Sequence, residues 1–303
     1  MVESIRINST SKRSSRTVYH QKQVRHGSTG QRGLTLRKQR AEHPTREQVS
    51  TISKDFTDSI YYAERIQNAL RKNPVQLDNY FAESFVLYQP KDIVSGDFYW
   101  FHRKEYRVFI AVVDCTGHGV PGALMSVIGN NLFRETIVNR NMDDPGEILF
   151  RIDTLLSELF NHDTITTADG MDVALAVFDF EKNEVAFSGA FRPLVHLRKN
   201  TITEIKGSRY PIGLFNVSHK KFSTQQLDFQ TGDQFYLFSD GYNDQFGGPN
   251  DKKFTRRRLY QLLLDGNHST LTNQKKHLEA SHQKWRGKNP QTDDILMIGL
   301  KIG

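Results

Sequence analysis

The feature that most constrains this chain is a repeated one: strongly apolar runs that begin or end on an aspartate. Tyr106–Asp114 reads YRVFIAVVD and leads into the glycine-rich turn Cys115-Thr116-Gly117-His118-Gly119. Phe235-Tyr236-Leu237-Phe238-Ser239 runs into Asp240-Gly241. Asp293-Asp294 stands just before Ile295-Leu296-Met297-Ile298, and Asp97 stands between Ser95-Gly96 and the aromatic run Phe98-Tyr99-Trp100-Phe101. Near-continuous apolar runs of this length read as buried strands. A carboxylate at the end of such a strand is costly to keep ionised without compensation. Taken singly, each aspartate reads equally well as a turn or cap residue, because Asp before Gly is common in turns. Four in the same setting ask for a shared cation. Oxygen donors without Cys or paired His favour hard Mg²⁺ or Mn²⁺ over zinc. The neighbouring glycines let backbone approach a metal or phosphate closely.

The rest of the chain alternates strand and helix signals. Val173–Phe180 and Glu184–Ser188 read as a hairpin across Lys182-Asn183, and Val195–Leu197 and Thr201–Ile205 as another across Lys199-Asn200. Pro121–Asn139 reads as a helix with Pro in its first turn. Asp144 and Glu147 have the spacing of a capping box, followed by the stripe Ile148, Leu149, Ile152, Leu155, Leu156, Leu159, Phe160. Phe254–Leu264 and Leu271–Trp285 read as helices and Ile295–Ile302 as a closing strand. Hairpins with helices inserted in blocks argue for an α+β fold with antiparallel sheets.

Upstream, Ile52, Phe56, Ile60, Ala63, Ile66 and Leu70 step by three or four, which is one stripe along a helix that Asn73-Pro74 ends. Such a stripe serves equally a helix packed on its own domain and a connector that pairs two protomers through residues 52–70. Residues 1–50 have only 11 apolar or aromatic positions and read as a disordered basic tail. The organisation expected is therefore a tail over 1–50, a helical connector over 51–74 and a domain over 80–303.

Charge decides between partner classes. The formal net charge is +7, but residues 1–50 hold 11 of the 41 Lys and Arg and only three of the 34 acids. The remainder carries 30 bases against 31 acids. A near-neutral body argues against nucleic-acid binding, and Arg256-Arg257-Arg258 reads as a solvated helix start. The single cysteine, Cys115, excludes a disulfide framework and a cysteine-based zinc site. No signal-peptide core and no apolar run of about 18 residues is present, so a cytoplasmic protein is expected. A P-loop and a His-Glu-x-x-His pair are absent, and Pro121 stands where a cysteine phosphatase would need arginine.

Ser95-Gly96-Asp97-Phe98-Tyr99-Trp100 and Asp114-Cys115-Thr116-Gly117-His118-Gly119-Val120-Pro121-Gly122-Ala123 resemble the first two motifs of SpoIIE/RsbU-type serine phosphatases. These form the bacterial branch of the metal-dependent protein phosphatases (PPM) related to protein phosphatase 2C. Asp169-Gly170-Met171-Asp172, Ser239-Asp240-Gly241-Tyr242 with Asp244-Gln245-Phe246-Gly247-Gly248, and Thr292-Asp293-Asp294 continue in family order. Ile60–Leu70 resembles the helix that often precedes this domain.

The resemblance implies a four-layer α/β/β/α sandwich of two antiparallel sheets flanked by helices, with two Mn²⁺ or Mg²⁺ ions at one edge. By position, Asp114 is the bridging carboxylate and the carbonyl of Cys115 a backbone ligand, which would leave the Cys115 side chain unconstrained. Asp97, Asp240 and Asp293 complete the shell, with Asp293 preferred over its neighbour Asp294. Asp169 or Asp172 is the candidate for a third ion. His118 is the candidate proton donor to the leaving oxygen, and Lys91 a candidate phosphate-attracting charge. The implied substrate is phosphoserine or phosphothreonine on a STAS-type anti-sigma-factor antagonist. The rival reading is an inactive phosphatase-like domain that binds a partner. Gly207–Asn216 and Phe246–Lys253 are expected to be loops near the metal edge.

Overall fold

The computed structural model describes residues 46–71, 77–160, 169–213 and 220–303. Residues 1–45 of the tail expected over 1–50, the helix stop at Asn73-Pro74 and positions 214–216 of the first expected loop lie outside these residues. The helices are α1 (Arg46–Arg71), α2 (Gly119–Phe133), α3 (Pro145–Phe160), the short α4 (Gly241–Asp244), α5 (Arg256–Asp265) and α6 (Leu271–Arg286). Helix α2 begins two residues before the expected Pro121 and continues as a π-type turn over Arg134–Asn139.

Two antiparallel sheets carry the fold. The first joins β1 (Glu83–Gln89), β6 (Leu194–Arg198), β7 (Thr201–Ile205), β10 (Gln234–Phe238) and β13 (Ile295–Lys301) in the order β1-β13-β10-β6-β7. The second joins β2 (Phe98–Lys104), β3 (Arg107–Cys115), β4 (Gly170–Asp179), β5 (Glu184–Ala190) and β9 (Gln225–Asp228) in that order, with β8 (Ile212–Gly213) paired to β4. A two-strand ribbon, β11 (Phe246–Gly247) with β12 (Lys252–Lys253), stands apart.

Alternation along the central strands builds three apolar layers. In β3, Val108, Ile110 and Val112 join β4 residues Ala174, Ala176 and Phe178 and β10 residues Phe235 and Leu237 between the sheets. The intervening Phe109, Ala111 and Val113 face outward onto Met125, Phe133, Ile148, Leu149, Ile152 and Leu156 of α2 and α3. Tyr236 and Phe238 turn the other way, onto Leu259, Leu263, Leu271 and Leu278 of α5 and α6. The layers are helix, sheet, sheet, helix, as the family resemblance implied. Both faces of each central strand are covered by apolar side chains, so the strands read as continuous apolar runs although every strand pairing within the sheets is antiparallel.

The expected cap of α3 is half formed. Asp144 Oδ1 accepts the Glu147 amide at 2.9 Å and the Thr224 hydroxyl at 2.6 Å. Thr270 caps α6 by accepting the Asn273 amide at 3.3 Å.

Helix α1 starts at Arg46, inside the stretch expected to belong to the tail, and meets the body through one face. Ile60 and Ala63 are half-buried, while Phe56, Ile66 and Leu70 of the same stripe stay exposed together with Tyr61 and Tyr62. Among the described side chains of that helix the buried one is polar: Gln67. No helix among the described residues is long and apolar enough to cross a membrane.

Phe178 sits at the middle of the inter-sheet layer, its ring 5.1 Å from that of Phe81 and 5.2 Å from that of Phe235, both edge-on. Phe178→Ala is expected to cost about 3–5 kcal/mol through lost burial and the cavity left behind. Urea denaturation followed by circular dichroism measures it; a loss under ~1 kcal/mol would contradict the packing described.

Candidate metal centre

Antiparallel pairing brings the aspartates together. The end of β3 lies beside the starts of β2 and β4, with Phe98 opposite Val113, Cys115 opposite Met171 and Asp114 opposite Asp172. In the other sheet the end of β10 lies beside the start of β13, with Phe238 opposite Met297 and the Ser239 amide donating to Leu296 O at 2.9 Å. Residues that leave one strand and enter the next therefore meet at one end of the sandwich. Gly241 lets the two turns of the first sheet close on each other, because a Cβ there would sit 1.9 Å from Asp294 O. Gly96 does the same for the second, a Cβ there falling 2.6 Å from Gly117 O.

The carboxylates in this space raise one another's affinity for protons. Burial, then the charges of Asp114, Asp294 and Asp293, hold Asp97 well above the usual carboxylate range, and Ser239 offsets part of this through a hydrogen bond. Asp97 is 3% exposed, and its Oδ2 has no hydrogen-bond partner. Asp114 is pushed up to about 7 by burial and by Asp240, Asp172 and Asp293, against the opposing pull of Arg192. Asp172 is raised by burial and by Asp240, and Asp293 by the partial burial of its carboxyl together with Asp240 and Asp294. Like charges gathered in partial burial destabilise the ionised forms.

One cation enters the cluster, and the sequence reading passed over it. Arg192 Nη2 lies 2.7 Å from Asp114 Oδ2, 2.8 Å from Asp172 Oδ2 and 2.8 Å from Asp240 Oδ2. Among the described residues no three carboxylates, imidazoles or thiols are drawn together at ligand spacing; Arg192 holds the position between these three. In sequence it lies in Ala190-Phe191-Arg192-Pro193, a link between hairpins, and nothing local marks it out.

The other candidates divide. Asp294 is buried, and its two oxygens accept the Lys91 amide at 2.7 Å and the Gly96 amide at 2.9 Å. Asp293 is exposed and accepts the Asp294 amide at 2.9 Å. The charge of Lys91 acts on Asp293, lowering its proton affinity. Asp172, not Asp169, touches Arg192; Asp169 precedes β4. His118 is exposed at the start of α2, its Nδ1 2.8 Å from Asp92 Oδ2. The Cys115 side chain is buried in the apolar layer beneath α2 and α3, which disfavours a charged side chain there and corrects the expectation that any residue would serve.

Gln67 ties the connector helix to this end of the sandwich. Its Nε2 donates to Ser95 O at 2.7 Å and to Ser126 Oγ at 2.8 Å, and its Oε1 accepts the Ser95 amide at 3.2 Å. Ser95 Oγ in turn accepts the Asp97 amide at 3.0 Å.

The donor set suits a hard divalent cation: it is oxygen-only, over-charged, and includes a buried carboxylate oxygen without a partner. The family model described as Stage II sporulation protein E (SpoIIE) matches residues 104–303. The chain belongs to the SpoIIE family. The phosphoserine phosphatase RsbP of Bacillus subtilis (strain 168) is 23% identical over 243 residues, 79% of this chain and 57% of RsbP. The chain thus spans little more than half of that relative. Among solved structures, the SiaA-PP2C domain of Pseudomonas aeruginosa is 32% identical with a TM-score of 0.76, covering 83% of this chain and 99% of that one. The PP2C phosphatase domain of SpoIIE from Bacillus subtilis, solved with a fragment of its regulatory domain, shares the fold at 17% identity and a TM-score of 0.60, covering 73% of this chain and 62% of that one. The SpoIIE-family and PP2C-like character expected from the motifs is therefore shown.

The adjacent aspartates are expected to behave oppositely. Asp294→Ala removes the acceptor of one buried and one partly buried amide and should cost about 2–4 kcal/mol. Asp293→Asn should leave stability within about 0.5 kcal/mol while weakening Mn²⁺ binding. Thermal denaturation and calorimetric titration check the pair; the reverse pattern would assign the ligand to Asp294.

Proposed function

We propose that this SpoIIE-family chain is a metal-dependent protein serine/threonine phosphatase acting on phosphoserine or phosphothreonine of a regulatory protein. The observation that carries the reading is the excess of carboxylate at one end of the sandwich, with Asp97 Oδ2 buried and unpartnered. Asp97, Asp114, Asp240, Asp293 and the Cys115 carbonyl are the residues that would hold two Mn²⁺ or Mg²⁺ ions, and Asp172 is favoured over Asp169 for a third. Two bound divalent ions supply an acidified water and charge neutralisation for a phosphomonoester.

The remaining chemistry falls to the chain's own groups. The Lys91 charge beside Asp293 draws a phosphate dianion toward the acid-rich edge. His118 keeps Nδ1 on Asp92 and has Nε2 for a proton to the departing serine oxygen. A STAS-type anti-sigma-factor antagonist is the proposed substrate, on the strength of the family and of the phosphoserine phosphatase named among its relatives. A cytoplasmic site of action goes with such a substrate.

The uncovered apolar side of α1 supports a homodimer through residues 52–70, since Phe56, Tyr62, Ile66 and Leu70 are 63%, 63%, 46% and 39% exposed. The full chain should then scatter light at twice 34.9 kDa. A double variant Tyr62→Ser, Ile66→Asp should scatter at the monomer mass. A wild-type monomer would refute the pairing.

Purified protein should release phosphate from a phosphoserine protein only with Mn²⁺ or Mg²⁺ present. Asp114→Asn should lower the rate by more than the ~10–100-fold typical of losing an outer-shell partner. Absence of hydrolysis, with partner binding unaffected by Asp114→Asn, would favour the inactive, partner-binding reading.

A further inference from the structure

We propose that Arg192 is an internal counter-ion of the acid cluster, and that a divalent cation binds there only by displacing it. The proposal rests on the reading of the cluster as a metal centre and adds a competitor built into the chain.

The geometry is that of a point charge. Nη2 stands within 2.8 Å of three carboxylates, from β3, β4 and the turn after β10. A guanidinium nitrogen of this kind carries two protons, so at most two of the three acids receive a hydrogen bond along an N–H; those two are Asp114 and Asp240. Arginine ordinarily offers its planar fork to one carboxylate through two parallel bonds. Here that advantage is given up, and Nε is buried with no partner. One positive charge in contact with three carboxylates leaves the cluster under-neutralised, and the charge of Asp293 also reaches both Asp114 and Asp97. A divalent ion brings twice the charge without directional demands.

The backbone that presents Arg192 is fixed. Its amide donates to Ala190 O at 2.7 Å across a tight turn, and Phe191 between them is left-handed at φ 59°. A Cβ at Gly189 would lie 2.2 Å from the Arg192 carbonyl, and one at Gly207 2.7 Å from it, so the end of β5 and the segment after β7 both close down on this peptide. Only the side chain is left to move. It borders an open recess of about 330 Å³ lined by Asp240, Asn243, Asp244, Lys253, Thr255 and Arg256. The guanidinium can leave the carboxylates in that direction without passing through the core.

Displacement has a measurable signature. If Arg192 fills the position in most metal-free molecules, the apparent Kd for a cation is raised by the inverse of the fraction in which the position is open. Arg192→Met keeps the length and removes the charge. Calorimetric titration of the metal-stripped full chain with MnCl₂ should then give a Kd lower than wild type by about tenfold or more. Equal or weaker binding by Arg192→Met, with wild type binding normally, overturns the proposal. Should wild type take up no Mn²⁺ at millimolar concentration, the metal-centre reading itself falls, a result distinct from the former. A second measurement needs no folded Met variant. The Arg192 side-chain N–H resonance, assigned with Arg192→Lys, should shift on titration with diamagnetic Mg²⁺. A resonance unmoved at saturating Mg²⁺ overturns the proposal.

Discussion

Mutual repulsion among carboxylates at one end of the sandwich is the constraint around which this structure is arranged. Asp97, Asp114, Asp172, Asp240 and Asp293 come from five separate places in the chain and meet because antiparallel pairing aligns strand exits with strand entries. A local concentration of charge is unfavourable to the folded state. It persists because the load is carried elsewhere, by three apolar layers whose central residues are fully buried. Core and site are complementary: rigid strands fix where the carboxylates stand, so they cannot relax apart to relieve their repulsion.

The same end of the molecule is joined to the connector helix by buried hydrogen bonds, in addition to the half-buried Ile60 and Ala63. Gln67 is held by Ser95 and Ser126, Ser95 holds the Asp97 amide, and Asp294 holds the amides of Lys91 and Gly96. Buried polar networks demand particular geometry, because a donor moved off its acceptor is left unsatisfied. An apolar contact would tolerate sliding of α1; Gln67 does not. A rotation of the helix that carried Gln67 away would break its bonds to the Ser95 peptide, two residues before Asp97. Tyr62 and Ile66 of α1 stay exposed, while Leu70 borders the same small recess as Gln67.

Much of this was legible in the sequence, and the limits have physical reasons. Central strands show themselves because both faces are apolar, as in Val108–Val113, and the capping acid Asp144 shows itself through its spacing to Glu147. The outer strand Glu83–Gln89 is less visible, since only Phe85 and Leu87 are fully buried on it. The aspartates stand out by position at strand ends, but their ranking does not. Asp293 and Asp294 differ only in which way each side chain points, and that depends on amides some 200 positions earlier in the chain. Asp172 stands apart from Asp169 only through its register with Asp114. Arg192 left no local trace, because its significance comes wholly from three partners 20, 48 and 78 positions away.

Arg192 also bears on how such a site can be made at all. A cluster that depended on bound metal for neutrality would fold only when loaded, as small metal-nucleated domains do. A tethered guanidinium supplies part of the missing charge from within the chain, so strand pairing around β3, β4 and β10 need not await an ion. The tether sets a limit on this help. Held by a turn that Gly189 and Gly207 press against, Arg192 reaches the acids with one nitrogen and leaves Nε unpaired. A full bidentate pair would neutralise the site better but would resist exchange. The imperfect contact is the one compatible with a centre that must be stable without its cation and still give way to it.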